Sequence, residues 1–275
     1  MKYLSSLLAI LALAPLAGAD SKITVKGSDT MVILAQKWAE TYMVGHKGVT
    51  IQVTGGGTGT GFAALQNNTT DLCNASRPIK KPEVMNCIKA FKAKPQEHRV
   101  ALDGLAVYLN SANPVKELTV EQVGKLFRGK INNWKELGGN DAPVVLYSRE
   151  NSSGTYEFFK EHVLAKEDFA ASAQTMPGTA AVLQAVAKDV NSIGYGGAAY
   201  AAGAKPIGIK KDADSPAILP NETTVQSGEY AISRALFIYA NPAVVKGDIA
   251  DYLAWIISPA GQKVVQDVGY FPLPK

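Results

Sequence analysis

The sequence predicts an α/β fold of two lobes, each a mostly parallel sheet flanked by helices, with a ligand held in the cleft between them. Three observations predict it. Strand-like and helix-like segments alternate from residue 23 onward, the order that builds parallel sheets covered by helices. Junctions of small residues and hydroxyls recur at Gly27-Ser28-Asp29-Thr30, Gly57-Thr58-Gly59-Thr60-Gly61 and Ser152-Ser153-Gly154-Thr155, each just before a predicted helix. Two apolar strands far apart in the chain, 102–109 and 235–239, are candidates to cross between lobes. Residues 20–106 and 236–275 then form the first lobe, and 107–235 the second.

Each element has a local reason. Ile23-Thr24-Val25 alternates as a strand, and Met31, Leu34, Ala35, Trp38 and Tyr42 repeat at helical spacing over about 31–44. A strand at 49–53 feeds the glycine-rich turn, and a short helix carries Phe62, Ala63 and Leu65. Asn113-Pro114 breaks the chain after the strand at 102–109. Thr119-Val120-Glu121-Gln122 then reads as a capping box opening a helix through Phe127. A strand at 144–147 ends at Ser148-Arg149, with helices expected over about 155–164 and 180–188. Asn241-Pro242 and Ser258-Pro259 each read as an N-cap with proline at the first helical position, opening two final helices.

Residues 1–19 read as a signal peptide. Lys2 precedes an apolar run at 7–16 and Ala17-Gly18-Ala19, a small-residue cleavage site. The expected mature protein is soluble and exported. A net charge of +4 without basic runs argues against nucleic-acid binding. Cys73 and Cys87 are the two cysteines, and in an oxidising compartment a single disulfide is expected. It would close a loop of roughly 15 residues, worth up to about 3 kcal/mol. His46, His98 and His162 fit no metal spacing, so neither metal nor cofactor is expected.

The three junctions carry the chemistry. The start of a helix presents free N–H groups and a positive dipole end, and hydroxyls add donors. With Arg149 and Arg77 close by in sequence, the junctions suggest a cage for a small oxyanion. Ser28 and Thr30 supply hydroxyls. Asp29 repels a fully ionised anion but accepts a hydrogen bond from one that keeps a proton, as phosphate and arsenate do near neutral pH and sulfate does not. Thr58, Gly59, Thr60 and Gly61 let amides approach closely, without the lysine of a P-loop or the pattern G-x-G-x-x-G. Arg149 can reach over the spot served by Ser153, Gly154 and Thr155, its planar fork suited to two oxygens. Arg77 would be a second cation. Ser153 with His162 also admits a secreted phosphoester hydrolase, although no G-x-S-x-G surrounds that serine.

Taken together, the chain resembles the periplasmic phosphate-binding proteins of bacterial ABC-type phosphate transporters. The motifs are Gly27-Ser28-Asp29-Thr30, Gly56-Gly57-Thr58-Gly59-Thr60-Gly61, Asn74-Ala75-Ser76-Arg77-Pro78, Asp103-Gly104-Leu105-Ala106-Val107, Gly129-Lys130-Ile131-Asn132-Asn133-Trp134, Ser148-Arg149 through Gly154-Thr155, and Ile193-Gly194-Tyr195. The resemblance implies a type II periplasmic-binding-protein fold, a non-enzymatic monomer that captures inorganic phosphate, and delivery to an inner-membrane permease. It implies that Arg149, Ser153, Gly154 and Thr155 hold phosphate from one lobe, and Thr58 with Ser28–Thr30 from the other. Better-known members carry an aspartate where Arg77 falls and a Thr-Phe pair where Asp29-Thr30 falls. Asp29 is therefore expected to supply the carboxylate, with Arg77 adding charge. Sulfate or molybdate is the alternative ligand.

Overall fold

In β1 (Ser21–Gly27), Ile23 and Val25 are buried while Lys22 is exposed, the period of a half-covered strand. This computed structural model describes residues 21–200 and 203–274; segment 1–19, expected to be a signal peptide, lies outside them. After a 3-10 turn at Asp29–Met31 comes α1 (Val32–Gly45), which buries Leu34, Ala35, Trp38, Ala39 and Tyr42 along one stripe. The Trp38 indole donates to the Gly261 carbonyl at 2.8 Å, so burial leaves it no orphaned donor.

Then follow β2 (Val49–Thr54), α2 (Thr58–Gln66), β3 (Leu72–Ala75), α3 (Lys81–Phe91) and β4 (Gln96–Leu109). The second part of the chain contributes β5 (Glu117–Thr119), α4 (Val120–Phe127), β6 (Val145–Arg149), α5 (Gly154–His162), β7 (Gln174–Met176), α6 (Gly178–Lys188) and β8 (Ser192–Gly197). It ends with β9 (Lys205–Pro206), β10 (Gly208–Lys210), α7 (Glu222–Gln226), β11 (Ser233–Ala240), α8 (Asp248–Ile257) and α9 (Pro259–Val268). No described helix is long and apolar enough to cross a membrane.

Among the described residues the main sheet runs β2-β1-β3-β11-β4-β8-β6-β7, with β9 beside β4. Strands β1, β2 and β3 are mutually parallel, as are β6, β7 and β8. The two crossing strands make the sheet mixed: β11 is antiparallel to β3 and β4, and β4 is antiparallel to β8. β4 is the spine. Its residues 96–104 pair with β11 and its residues 105–109 with β8. The strand expected at 102–109 is thus the second half of a longer one that joins both halves of the molecule. Two large apolar clusters lie on either side of this junction, one around Trp38, Tyr42 and Tyr252, the other around Phe127, Trp134 and Phe159.

Local chemistry fixes several ends. Thr119 Oγ1 accepts from Gln122 N at 3.0 Å, and Thr119 N donates in return to Gln122 Oε1 at 2.8 Å, the reciprocal cap expected from the sequence. Ser258 caps α9 ahead of Pro259. The helix expected at Asn241-Pro242 does not form. Asn241 Oδ1 accepts from Ala243 N at 3.0 Å, closing a local side-chain turn, and α8 starts only after Gly247. An asparagine–proline pair favours either outcome, and here the turn prevails.

Candidate functional site

The carboxyl ends of the parallel strands from both halves meet at one place, where open α/β sheets hold their ligands. β1 delivers Ser28, Asp29 and Thr30; β2 delivers the turn to Thr58; β3 ends beside Ser76; β6 delivers Arg149 and, after it, Ser153 to Thr155. Thr30 Oγ1 lies 2.7 Å from Thr155 Oγ1 across the junction. Thr58 Oγ1 accepts from Ser76 N at 3.1 Å and lies 3.4 Å from Ser76 Oγ. Ser28, Thr30, Thr58, Ser76, Ser153 and Thr155 are all buried, each at most 2% exposed, an unusual concentration of hydroxyls away from water. Ser28 Oγ has no hydrogen-bond partner among the described residues.

Two glycines permit the approach. Gly154 opens α5, and a Cβ there would lie 2.4 Å from Thr58 Oγ1 and 2.7 Å from Ser76 Oγ. Gly57 has φ +93°, and a Cβ there would meet the Ser152 carbonyl oxygen at 2.6 Å. Gly59 N accordingly donates to Ser152 O at 2.9 Å across the junction, and Ser152 Oγ donates to Gly56 O at 3.2 Å. Ser153 Oγ caps α5, accepting from Thr155 N and Tyr156 N at 3.2 and 3.3 Å.

Arg149 is 1% exposed, and its bonds leave one Nη1 N–H without a protein partner among the described residues. Its Nη2 donates to Asp29 Oδ2 at 2.9 Å and to Glu150 Oε1 at 2.7 Å, Nε donates to Glu150 Oε2 at 3.0 Å, and Nη1 donates to Thr179 Oγ1 at 2.8 Å. Burial raises the Glu150 carboxyl, but the hydrogen bond and charge of Arg149 outweigh it and hold Glu150 below the usual carboxylate range. Asp29 bridges the halves. Oδ1 accepts from Gly56 N at 2.8 Å, Oδ2 accepts from Arg149, and its own carbonyl accepts from the Tyr200 hydroxyl at 2.7 Å. Burial pushes that phenol up to about 12, so it stays a donor.

A second guanidinium lies within the cluster. Arg234, on β11, donates from Nε and Nη2 to Asp103 Oδ2 at 3.0 and 2.8 Å, from Nη2 to Thr155 Oγ1 at 3.0 Å, and from Nη1 to Ser76 O at 3.1 Å. Asp103, on β4, is completely buried.

A family model described as a PBP superfamily domain matches residues 14–260. The phosphate-binding protein PstS of Pseudomonas aeruginosa is 35% identical over 273 aligned residues, covering 94% of this chain and 84% of that protein. The chain belongs to the PBP superfamily and, within it, to the family of these phosphate-binding proteins. Its fold is accordingly the two-lobed, type II form. A Clostridium perfringens structure with bound phosphate, described as that of a candidate phosphate ABC transporter substrate-binding protein, superposes with a TM-score of 0.85 at 26% identity. The match covers 92% of this chain and all of that one. An ABC-type phosphate transport receptor from Vibrio cholerae gives 0.72 at 26% identity, with coverage of 92% and 100%.

Within this member of the family, Ser28, Asp29, Thr30, Thr58, Gly59, Arg149, Ser153, Gly154 and Thr155 all lie at the junction. Arg77 does not join them. Its fork donates to both Glu83 carboxylate oxygens at 2.8 and 2.7 Å and to Pro78 O at 2.9 Å, over the Phe62 ring. A nearby acid and an aromatic face hold its fork where it stands, leaving only the buried Nε without a partner among the described residues, and its neighbour Ser76 faces the cluster instead. The expected disulfide is likewise absent: Cys73 and Cys87 are free, buried thiols. They sit in one apolar cluster with Phe62, Leu65 and Tyr239, and burial lifts Cys73 well above its usual range and Cys87 to about 11.

The sequence reading missed Ser76, Asp103, Glu150, Thr179, Tyr200 and Arg234. Two of these left a trace. Asp103 and Arg234 are lone charges in the apolar runs Val100-Ala101-Leu102-Asp103-Gly104-Leu105 and Ile232-Ser233-Arg234-Ala235-Leu236. Asp103 falls inside one strand expected to cross and Arg234 just before the other, and opposite lone charges so placed are candidates for a buried pair.

Proposed function

We propose that this protein captures inorganic phosphate outside the cytoplasm and hands it to the permease of an ABC transporter. It does so as a monomer, without catalysis and without a cofactor. The hydroxyls of Ser28, Thr30, Thr58, Ser76, Ser153 and Thr155, the amide-rich start of α5 and the Arg149 guanidinium are the groups that hold the anion. The observation that carries the reading is the meeting of these donors from both halves at one buried spot, in a chain of this family. The lobes, 20–106 with 236–275 and 107–235, close over the ligand by moving about β4 and β11. Residues 1–19 direct export and are removed.

Binding accounts for these groups without chemistry. A micromolar affinity requires about 8 kcal/mol. Charge-assisted hydrogen bonds contribute about 1.5–3 kcal/mol each, and a partly buried helix end up to about 2 kcal/mol. Several such terms exceed that requirement and leave room for the cost of closing the lobes. The hydrolase reading finds no support at Ser153. That oxygen accepts from two backbone amides of α5, and His162 stacks on Phe158 with its Nδ1 3.0 Å from Phe158 O.

Calorimetric titration of the mature protein with phosphate, with sulfate as control, tests the proposal alongside an assay of a chromogenic phosphate ester. Phosphate binding without turnover is expected. Ester turnover abolished by Ser153→Ala, or heat exchange with sulfate but none with phosphate, would overturn it.

A further inference from the structure

We infer that the Asp103–Arg234 pair, rather than Asp29, distinguishes an oxyanion that keeps a proton from one that is fully ionised. The inference rests on the proposed phosphate-binding reading. The role needs a carboxylate oxygen that is buried beside the hydroxyl cluster and not already spent on the protein. Asp29 fails this requirement, because Gly56 N holds Oδ1 and Arg149 holds Oδ2. Asp103 meets it. Arg234 places two N–H groups on Oδ2 alone, while Oδ1, buried, has no hydrogen-bond partner among the described residues.

The surroundings place this oxygen at the junction. A Cβ at Gly197 would lie 3.0 Å from Asp103 Oδ1 and 3.3 Å from Thr30 Cγ2, so strand β8, Thr30 and the carboxylate share one corner. Arg234 also holds Thr155 Oγ1 and Ser76 O, tying the acid to both halves of the cluster. An ionised carboxylate accepts hydrogen bonds and donates none. It therefore welcomes a P–OH group and repels an oxyanion that has only bare oxygens. Arg234 supplies the charge that lets the acid remain in a dry site. Because β4 and β11 are the strands shared by both halves, the discriminating group sits where the halves join.

The experiment compares phosphate, sulfate and monofluorophosphate, a tetrahedral analogue with fluorine in place of the hydroxyl and no O–H at neutral pH. Wild-type protein is expected to bind phosphate at least tenfold more tightly than either analogue. Asp103→Asn should shrink that ratio at least tenfold. Because it strands the Arg234 charge, the neutral double variant Asp103→Asn/Arg234→Gln is measured beside it. Asp29→Asn should weaken phosphate and sulfate together, leaving their ratio in place. Equal wild-type affinity for phosphate and monofluorophosphate would overturn the inference alone, as would a folded Asp103 variant with the wild-type ratio. Absence of any phosphate binding by the wild type would overturn the function reading, and this inference with it.

Discussion

At the scale of single residues, Arg149 shows how far burial changes what a charge does. A surface arginine could be removed at little cost, but this one is 1% exposed and holds Asp29, Glu150 and Thr179. Arg149→Ala strands two carboxylates. It should therefore cost about 3–5 kcal/mol of ligand-free stability, read by denaturant unfolding, besides weakening phosphate binding. Glu150 sets a pH dependence. Its folded pKa is depressed, so its stabilising contribution is complete above the ordinary carboxylate pKa and is lost as pH falls through the lower folded value. Glu150→Gln should accordingly flatten the acid limb of stability against pH, and an unchanged limb would refute this account. Arg77 is the contrasting case. Its sequence neighbourhood suggested a ligand role, but Glu83, six residues along, offered a bidentate partner, and a fork that finds two oxygens locally has no reason to reach further.

At the scale of elements, what could be read in advance was what local chemistry decides. The alternation in β1, the stripe of α1 and the reciprocal cap of α4 each need only neighbours in sequence, and each formed as expected. Thr119→Ala should remove about 1 kcal/mol, measurable in a denaturant midpoint. The short strands β5, β7, β9 and β10 have no such signature. They span two or three residues each, too few for a period to register, and exist because a partner strand lies alongside. The same limit explains Asn241-Pro242, where capping and turn chemistry use the same atoms.

At the scale of the whole molecule, protein contacts alone stitch the two halves together. Asp29 meets Arg149, Thr30 meets Thr155, Gly59 and Gly56 meet Ser152, and at the rim Lys80 pairs with Glu157 at 2.7 Å. Closure is thus favoured by charge and backbone geometry as well as by a ligand. Asp29→Asn, and separately Gly57→Ala, should raise the radius of gyration of phosphate-free protein in small-angle scattering. The glycine variant acts by setting a methyl against the Ser152 carbonyl. An identical scattering curve for all three proteins would exclude this role for the contacts.

The sequence by itself determined the α/β alternation, the three amide-rich junctions and the hydroxyls they carry, because helix starts, strand periods and turns are written within a few residues. Only the tertiary structure decided which charges are spent on the protein: Arg77 on Glu83, Asp29 on Arg149, and one oxygen of Asp103 on Arg234. The last two pairs join residues more than a hundred positions apart. Whether a buried charge is satisfied depends on every group within a few ångströms, and that neighbourhood exists only once β4 and β11 have brought the two halves face to face.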